Sequence, residues 1–311
     1  MRKVAVKARH CDGLGLVEML VALVLGMLVT LASAAMLASA NGDFLVHGAS
    51  ARLNDGGRYA LALIGQALRQ AGYVDPAMGS LPEDGAAIVG LDARAVTRTG
   101  PGVAATLPAI ANGSDVLAVR FGGAGTGGGD GSVTDCAGFA VGAAQQGWSI
   151  FYVAAGEDGV AELRCKYRSD SGGWSADAVV RGIDSFQVLY GLDTDTPGDG
   201  LANRFLNATG IAALDVALVP SGATAAEREL DRRRRSHWHR VVAVRVALLL
   251  HGEAGMRDGE RALQYELFGA AYPAAGDPGS RVDEAALAAP LRSRPRRLFE
   301  TAVVVRNRAG P

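Results

Sequence analysis

Residues 14–40 read LGLVEMLVALVLGMLVTLASAAMLASA, and the only charged side chain among them is Glu18. As an α-helix rising about 1.5 Å per residue, this segment would be roughly 40 Å long, whereas the hydrocarbon core of a bilayer is about 30 Å thick. Apolar side chains occur all around the helical wheel, while a helix buried in a soluble protein normally keeps a polar face. The sequence therefore predicts a membrane-spanning helix near the N-terminus.

Charges on either side of this helix predict its orientation. Residues 1–13 carry four cations, and the first charge after the helix is Asp43. Because positive charges stay on the cytoplasmic side, we expect the N-terminus in the cytoplasm and residues 41–311 outside. Alanines near the C-terminal end of this helix leave cleavage by signal peptidase open as an alternative. Glu18 argues against an ordinary signal, because a carboxylate at the bilayer centre costs about 2.5–3.5 kcal/mol and is normally functional.

Composition restricts the class of protein further. A net charge of −1 argues against a globally basic nucleic-acid binder, and 49% apolar residues exclude wholesale disorder. The 42 glycines indicate a loop-rich globular body. The sequence lacks the short motifs of serine hydrolases, zinc proteases and phosphate loops, so we expect neither an enzyme nor a cofactor.

The helical pattern continues beyond the apolar segment as far as Gly72. Each glycine of the pair Gly56-Gly57 costs about 1 kcal/mol in a helix interior, so a bend is expected there, and Asn41-Gly42 is a second weak point. The apolar stripe that should face a sheet consists of Leu53, Leu61, Ile64 and Leu68. The residues expected on the opposite, exposed face are Arg52, Asp55, Arg58 and Arg69.

Short strands separated by Gly, Pro and Asp are predicted from residue 73 onward. Residues 122–131 hold seven glycines and predict a flexible loop, and residues 272–297 predict a surface connection. The predicted fold is α+β, with one long helix packed on an antiparallel sheet. The predicted strands cover residues 114–121, 148–155, 160–167, 179–192, 241–250 and 298–306.

The run GLGLVE at residues 13–18, between the basic leader and the apolar helix, resembles the class III signal of type IV pilins and pseudopilins. In that family the prepilin peptidase cuts after the glycine and methylates the new N-terminal amine. The resemblance implies cleavage between Gly13 and Leu14. It also implies that Glu18 pairs with the Leu14 amine of an adjacent subunit and so sets the register of the filament. Leu14 and Gly15 depart from the family's usual Phe and Thr or Ser.

Further segments resemble one subgroup in particular, the PilW-type minor pilins. The two cysteines expected outside the cytoplasm also fit this subgroup, whereas residues from about 205 to 237 look like an insertion without a counterpart. The matching segments are residues 53–61, 69–73, 113–117, 190–193, 242–246 and 299–308.

The resemblance implies four parts of the chain. Residues 1–13 would be the cleaved leader and residues 14–40 the transmembrane or filament-core helix. Residues 41–72 would be its amphipathic continuation, and residues 73–311 an extracytoplasmic pilin body.

The resemblance also implies a function. The protein would be a minor pilin that joins other minor pilins to prime assembly of the type IV pilus at its tip. The prepilin peptidase, the major pilin and a tip adhesin would be its partners, and cell adhesion and twitching motility its context. It would be held in the inner membrane before it enters the pilus. A pseudopilin of a type II secretion system is the alternative, followed by a membrane-tethered binding domain.

Cys136 and Cys165 would lie on the oxidising side of the membrane, which favours a disulfide between them. A loop of this length gives a stabilisation of roughly 3.5 kcal/mol in the chain-entropy model. Cys11 lies in the predicted leader and would be removed with it.

Asp193, Asp195 and Asp199 suggest a calcium loop. However, the third acid lies two positions too late for an EF-hand, and no bidentate glutamate follows at the expected distance. A solvated turn is therefore favoured, and no metal is expected.

Arg232–Arg235 form the basic cluster with aromatic residues nearby, which could bind DNA, lipid headgroups or an acidic partner. Neighbouring acids favour an exposed helix or loop instead. His237 and His239 could share one strand face, but a third metal ligand is not apparent. The remaining histidines of the expected mature chain, His47 and His251, are isolated.

Overall fold

The computed structural model describes residues 15–76, 85–169, 171–253, 262–272 and 274–307. Contacts divide the chain into two compact units, Met1–Ser50 and Ala51–Pro311. The long helix α1, Leu16–Gln70, begins in the first unit and ends in the second. Gly13 and Leu14, at the predicted cleavage point, lie outside the described residues.

Among its described residues, the second unit consists mainly of antiparallel strands with three further α-helices. The helices are α2 Ala208–Val216, α3 Ala225–Arg235 and α4 Ala289–Arg292. The strands are β1 Ile88–Leu91, β2 Arg94–Val96, β3 Thr106–Pro108, β4 Val116–Gly122, β5 Gln146–Ala155, β6 Ala161–Arg168, β7 Trp174–Arg181, β8 Ile183–Leu192, β9 Arg204–Leu206, β10 Val241–His251, β11 Gln264–Glu266, β12 Arg281–Asp283 and β13 Arg296–Val304.

These strands form two main sheets where the sequence predicted one. The first has the order β1-β4-β5-β6-β7 and the second the order β13-β10-β8-β9. The predicted strand 179–192 is divided at Gly182, so that β7 belongs to the first sheet and β8 to the second. Gly182 has a φ of +79° and its N–H donates to the Ala161 carbonyl, while its own carbonyl accepts from the His251 N–H. A left-handed residue thus turns the chain from one sheet into the other.

The main hydrophobic core lies between the second half of α1 and both sheets. Ile64 and Leu68 are fully buried, and Leu53 and Leu61 are partly buried against the same core. The predicted apolar stripe is therefore confirmed. The four charged residues predicted for the opposite face, Arg52, Asp55, Arg58 and Arg69, are all exposed.

The helix α1 runs without interruption through Asn41-Gly42 and Gly56-Gly57. A Cβ on Gly57 would lie 2.4 Å from the ring of Phe299 in β13, and a Cβ on Gly56 would lie 2.9 Å from Val180 in β7. Both glycines therefore allow close approach of the helix to strands of the two sheets. Burial of the facing side chains offsets the low helix propensity of glycine.

Residues 272–297 are more than the surface connection that the sequence predicted. They contain β12 and α4, and Val282 and Leu287 pack with Leu249 and Leu267 on the outer face of the second sheet. Glu284 is also buried, at 1% exposed. The sequence predicted only a surface connection because the segment has few apolar residues, which are widely spaced. The core residues that they contact lie elsewhere in the chain.

Candidate assembly site

The apolar part of α1 presents its side chains to the surroundings on every side. All residues from Gly15 to Phe44 are exposed in the single chain. Within the described residues, α1 is the one helix long and apolar enough to cross a membrane, with a mean hydropathy of 2.5 over its most apolar window. An exposed apolar surface of this size requires cover by lipid or by other protein.

Glu18 lies in the first turn of this helix. Its Oε2 atom accepts a hydrogen bond of 3.2 Å from the Gly15 N–H, which is one of the free amides at the helix N-terminus. A carboxylate is favourable there because the helix dipole is positive at this end. Its predicted partner, the Leu14 amine, lies outside the described residues.

The exposed face of α1 in the second unit carries mainly polar side chains. Arg52 approaches Glu253 at 4.0 Å, but both side chains are about 70% exposed, so this pair contributes little to stability. Tyr59 is 57% exposed on the same helix. These groups are free to contact another protein without disturbing the core.

The structure joins Cys136 and Cys165 in a disulfide with a Cα–Cα distance of 5.9 Å. Both residues are buried, and the Cys136 N–H donates to the Ser149 hydroxyl of β5 at 3.0 Å. Cys165 lies opposite Phe151 in the first sheet. The bond therefore fastens the glycine-rich segment between β4 and β5 to the sheet, and its burial suits a structural role.

The three acids of the suggested calcium loop lie together, with ligand atoms within 4.8 Å of one another. Their carboxylates accept hydrogen bonds from within the loop. Asp193 accepts from the Gly200 N–H at 2.6 Å, Asp199 from the Leu201 N–H at 2.8 Å, and Asp195 from the Asn203 amide at 3.0 Å. The carboxylates thus close a turn through hydrogen bonds within the loop.

The arginines of the basic cluster lie at the end of α3, which is exposed along its whole described length except for two half-buried acids. Arg232 and Arg233 pair with Glu229, and Arg235 lies 3.3 Å from Asp231. Two acids of the same helix therefore offset about half of the charge of the four arginines, and the interpretation as an exposed helix agrees with the structure.

His237 and His239 lie in a short 3-10 helix, so the suggested strand face is wrong. His237 Nδ1 lies 2.7 Å from Asp215 Oδ1, whereas His239 Nε2 lies 3.0 Å from the Arg233 carbonyl oxygen. Burial by itself would raise the pKa of Asp215, but hydrogen bonds from His237 and Ser236 hold this pKa below its usual value. Each imidazole thus contacts a residue of the segment 205–237, which looked like an insertion.

Asp115 is a structural residue whose role the sequence did not reveal. Its carboxylate accepts from the Ala93 N–H at 3.0 Å and from the Val188 N–H at 2.9 Å, and so connects the segment before β4 to β8 in the second sheet. Burial, and then repulsion from Asp92, raise the pKa of Asp115 well above its usual value. The signal in the sequence was the match of residues 113–117 to the pilin subgroup.

A family model described as type IV pilus-assembly protein W matches residues 150–307, just over half of the chain. The chain belongs to this PilW family. The resemblance seen in the sequence is thereby confirmed, and the long helix with its antiparallel sheets confirms the predicted α+β fold. The PilW match lies wholly in the second unit and includes Cys165 but not Cys136 or the apolar helix.

Among solved structures, the PilW-family chain is similar to a type IV-like pilin from Thermus thermophilus. The two are 14% identical, the alignment covers 83% of this chain and 99% of that one, and the TM-score is 0.41. Comparison with curated protein sequences gives no match.

Proposed function

We propose that this PilW-family protein is a structural minor pilin that joins other minor pilins and primes assembly of the type IV pilus at its tip. The observation that carries the proposal is the fully exposed apolar surface of α1, in which Glu18 is the one charged residue before Asp43. Such a surface would be covered by lipid before assembly and by the helices of neighbouring subunits afterwards.

Glu18 is the group that would set the register between subunits. Cleavage after Gly13 would create an amine on Leu14, and the Glu18 carboxylate of one subunit would pair with the amine of the next. Each charge would be expensive if it were left unpaired among apolar helices, so only the paired register would be favourable. The hydrogen bond from Gly15 keeps the carboxylate near the start of the helix.

The same features support a location. The helix would anchor the protein in the inner membrane with its N-terminus in the cytoplasm and its body in the periplasm, until the subunit enters the pilus. The basic residues before the helix support this orientation. The buried Cys136–Cys165 disulfide fits an oxidising compartment.

The exposed face of α1 in the second unit would contact the other minor pilins. Arg58 and Arg69 are exposed there, and Tyr59 offers an aromatic ring of the kind that is enriched at protein interfaces. The major pilin and a tip adhesin would be the other partners in the assembled pilus, and the prepilin peptidase would act before assembly.

Mass spectrometry of the mature N-terminus tests the processing step. We expect a chain that begins with a methylated Leu14, and we expect Gly13→Val to leave the precursor uncut in membranes, because the peptidase needs close approach to the backbone there. A wild-type protein that keeps its leader, or normal maturation of Gly13→Val, would contradict the proposed signal.

Recovery from sheared pili tests the role of Glu18. Glu18→Ala should be cleaved normally but should be strongly depleted in the pilus fraction, because the partner amine is left unpaired. Thr30→Ala is the matched control, since Thr30 is a polar residue on the same exposed helix whose hydroxyl only bonds the Met27 carbonyl. Equal recovery of the two variants would refute the role of Glu18. Wild-type protein found only with a secretion apparatus would refute the proposal that this protein belongs to a pilus.

A further inference from the structure

An open depression of about 330 Å³ lies at one end of the first sheet. It is bounded by the turn after Cys136, the start of β5 and the hairpin between β6 and β7. Phe139 lies three positions after Cys136, and Arg168 lies three positions after Cys165, so the disulfide joins the two backbone segments that carry these side chains. The bond therefore holds both segments in place before a ligand arrives, which reduces the conformational cost of binding.

The Phe139 ring forms an apolar platform in this depression. It is 48% exposed, although phenylalanine side chains are usually buried. Behind it lies the buried Tyr167, whose ring centroid is 5.3 Å from that of Phe139. Tyr167 therefore supports the Phe139 ring from the core side, and the rest of that ring faces solvent. Cover by the C–H groups of a ring-shaped ligand would remove this apolar surface from water.

Two accessible polar side chains in the depression carry free donors. Arg168 is exposed, and its guanidinium has no ion-pair or hydrogen-bond partner within the described residues. Gln145 is also exposed; its Oε1 accepts a backbone N–H at 3.2 Å, while its NH2 group has no partner in the described part of the chain. The acid in the wall, Asp135, is buried, and its Oδ1 accepts two backbone N–H groups at 2.9 and 3.1 Å. The depression therefore offers donors to a ligand that supplies acceptors, and a carboxylate matches the fork of the guanidinium.

We propose that this depression binds a six-membered sugar ring that carries a carboxylate, as a hexuronic acid does. The C–H face of the sugar would lie on Phe139, its carboxylate would accept from Arg168, and a hydroxyl oxygen would accept from Gln145. A lining of one aromatic ring and a few polar side chains suits a saccharide, because a sugar is apolar on its ring face and polar around its edge. The site lies in the second unit and uses neither Glu18 nor the exposed face of α1, so the proposal does not depend on the proposed function.

Titration of the full chain in phosphatidylcholine nanodiscs with methyl glucuronide and methyl galacturonide, followed by saturation-transfer difference NMR, tests the proposal. We expect saturable binding of at least one of these acids above a blank of empty nanodiscs. Methyl glucoside and methyl galactoside have the same rings without the carboxylate, and each should bind at least about fivefold more weakly than its acid, because the pairing with Arg168 is lost. Acetate, which has the carboxylate without the ring, should not displace the bound acid at equal concentration.

Three results would overturn the proposal: no binding of either acid above the blank, equal affinity for the acid and its neutral partner, or displacement by acetate. A trisaccharide of galacturonate separates the two sources of such a ligand. Tighter binding of the trisaccharide than of methyl galacturonide would identify the end of an acidic polysaccharide, and equal affinity would identify the single sugar unit.

Two variants locate the site, each with a matched control. Arg168→Gln should reduce the preference for the acid over its neutral partner to less than twofold and leave the urea midpoint unchanged, because the side chain is exposed and unpaired within the described residues. Arg204→Gln, at an exposed arginine of β9 outside the depression, should behave as the wild type does. Phe139→Ala should abolish saturable binding, whereas Phe205→Ala, at another exposed phenylalanine, should not. Wild-type affinity in Phe139→Ala, or an unchanged preference in Arg168→Gln, would overturn the assignment.

Discussion

Replacement of Gly57 by alanine should destabilise the body relative to the same change at Gly65, although both glycines are buried in α1. Alanine gains about 1 kcal/mol over glycine in a helix interior at either position. At Gly57, however, the new Cβ would lie 2.4–2.5 Å from three ring atoms of Phe299. At Gly65 it would meet only the flexible end of Arg69, at 3.3 Å.

The expected difference in stability comes from the close contact with Phe299, which only Gly57→Ala introduces. Overpacking of a well-packed contact costs about 1–3 kcal/mol, so Gly57→Ala should be less stable than Gly65→Ala by that amount. Gly65→Ala itself should be slightly more stable than the wild type. Truncation of the ring in Gly57→Ala/Phe299→Leu should recover part of the loss, which a double-mutant cycle would measure as coupling.

Urea unfolding of the full chain in detergent micelles, followed by tryptophan fluorescence, measures these differences. Each of the three tryptophans, Trp148, Trp174 and Trp238, lies in the second unit, so the signal reports on the body. If Gly57→Ala proves as stable as Gly65→Ala, the helix is not held against β13 as closely as described, and the explanation of the glycine pair fails.

The remaining predictions concern the core, the disulfide and pH. Ile64→Asp should unfold the body at a cost of several kcal/mol, because it buries a carboxylate. Arg58→Glu should leave the thermal midpoint unchanged and weaken co-purification with the minor pilins that the proposed function gives as partners; equal midpoints for the two variants would refute the assigned faces. The double serine variant of Cys136 and Cys165 should lose about 2–4 kcal/mol in urea unfolding, and two free thiols in periplasmic protein would contradict the bond. Since burial raises the pKa of Asp115 well above 3.8, the folded state holds its proton more tightly, and the contribution of this group to stability should fall as the pH rises from near 3.8 towards the folded pKa. Asp115→Asn should flatten that part of the pH profile, and an unchanged slope would count against the raised pKa.

Much of the fold could be read along the chain because the relevant properties are local. The unbroken apolar run at residues 14–40 predicts a helix that needs lipid or protein around it, and the structure presents that surface fully exposed. Spacings of three and four identified Ile64 and Leu68 as core residues, and strands were predicted where the core-forming β4, β5, β6 and β10 occur. Hydropathy and periodicity need no knowledge of distant residues.

The tertiary structure alone decided where one sheet becomes two and which polar residues are buried together. Gly182 appears in the sequence as one more glycine, yet it turns the chain between sheets because its backbone pairs with Ala161 on one side and His251 on the other. His251 looked isolated in the sequence because Asp184, its hydrogen-bond partner, lies 67 positions before it. Arg296, which holds Asp184 in place, lies 112 positions after that residue. Local patterns reveal which residues prefer burial, but only long-range contacts determine which of them meet.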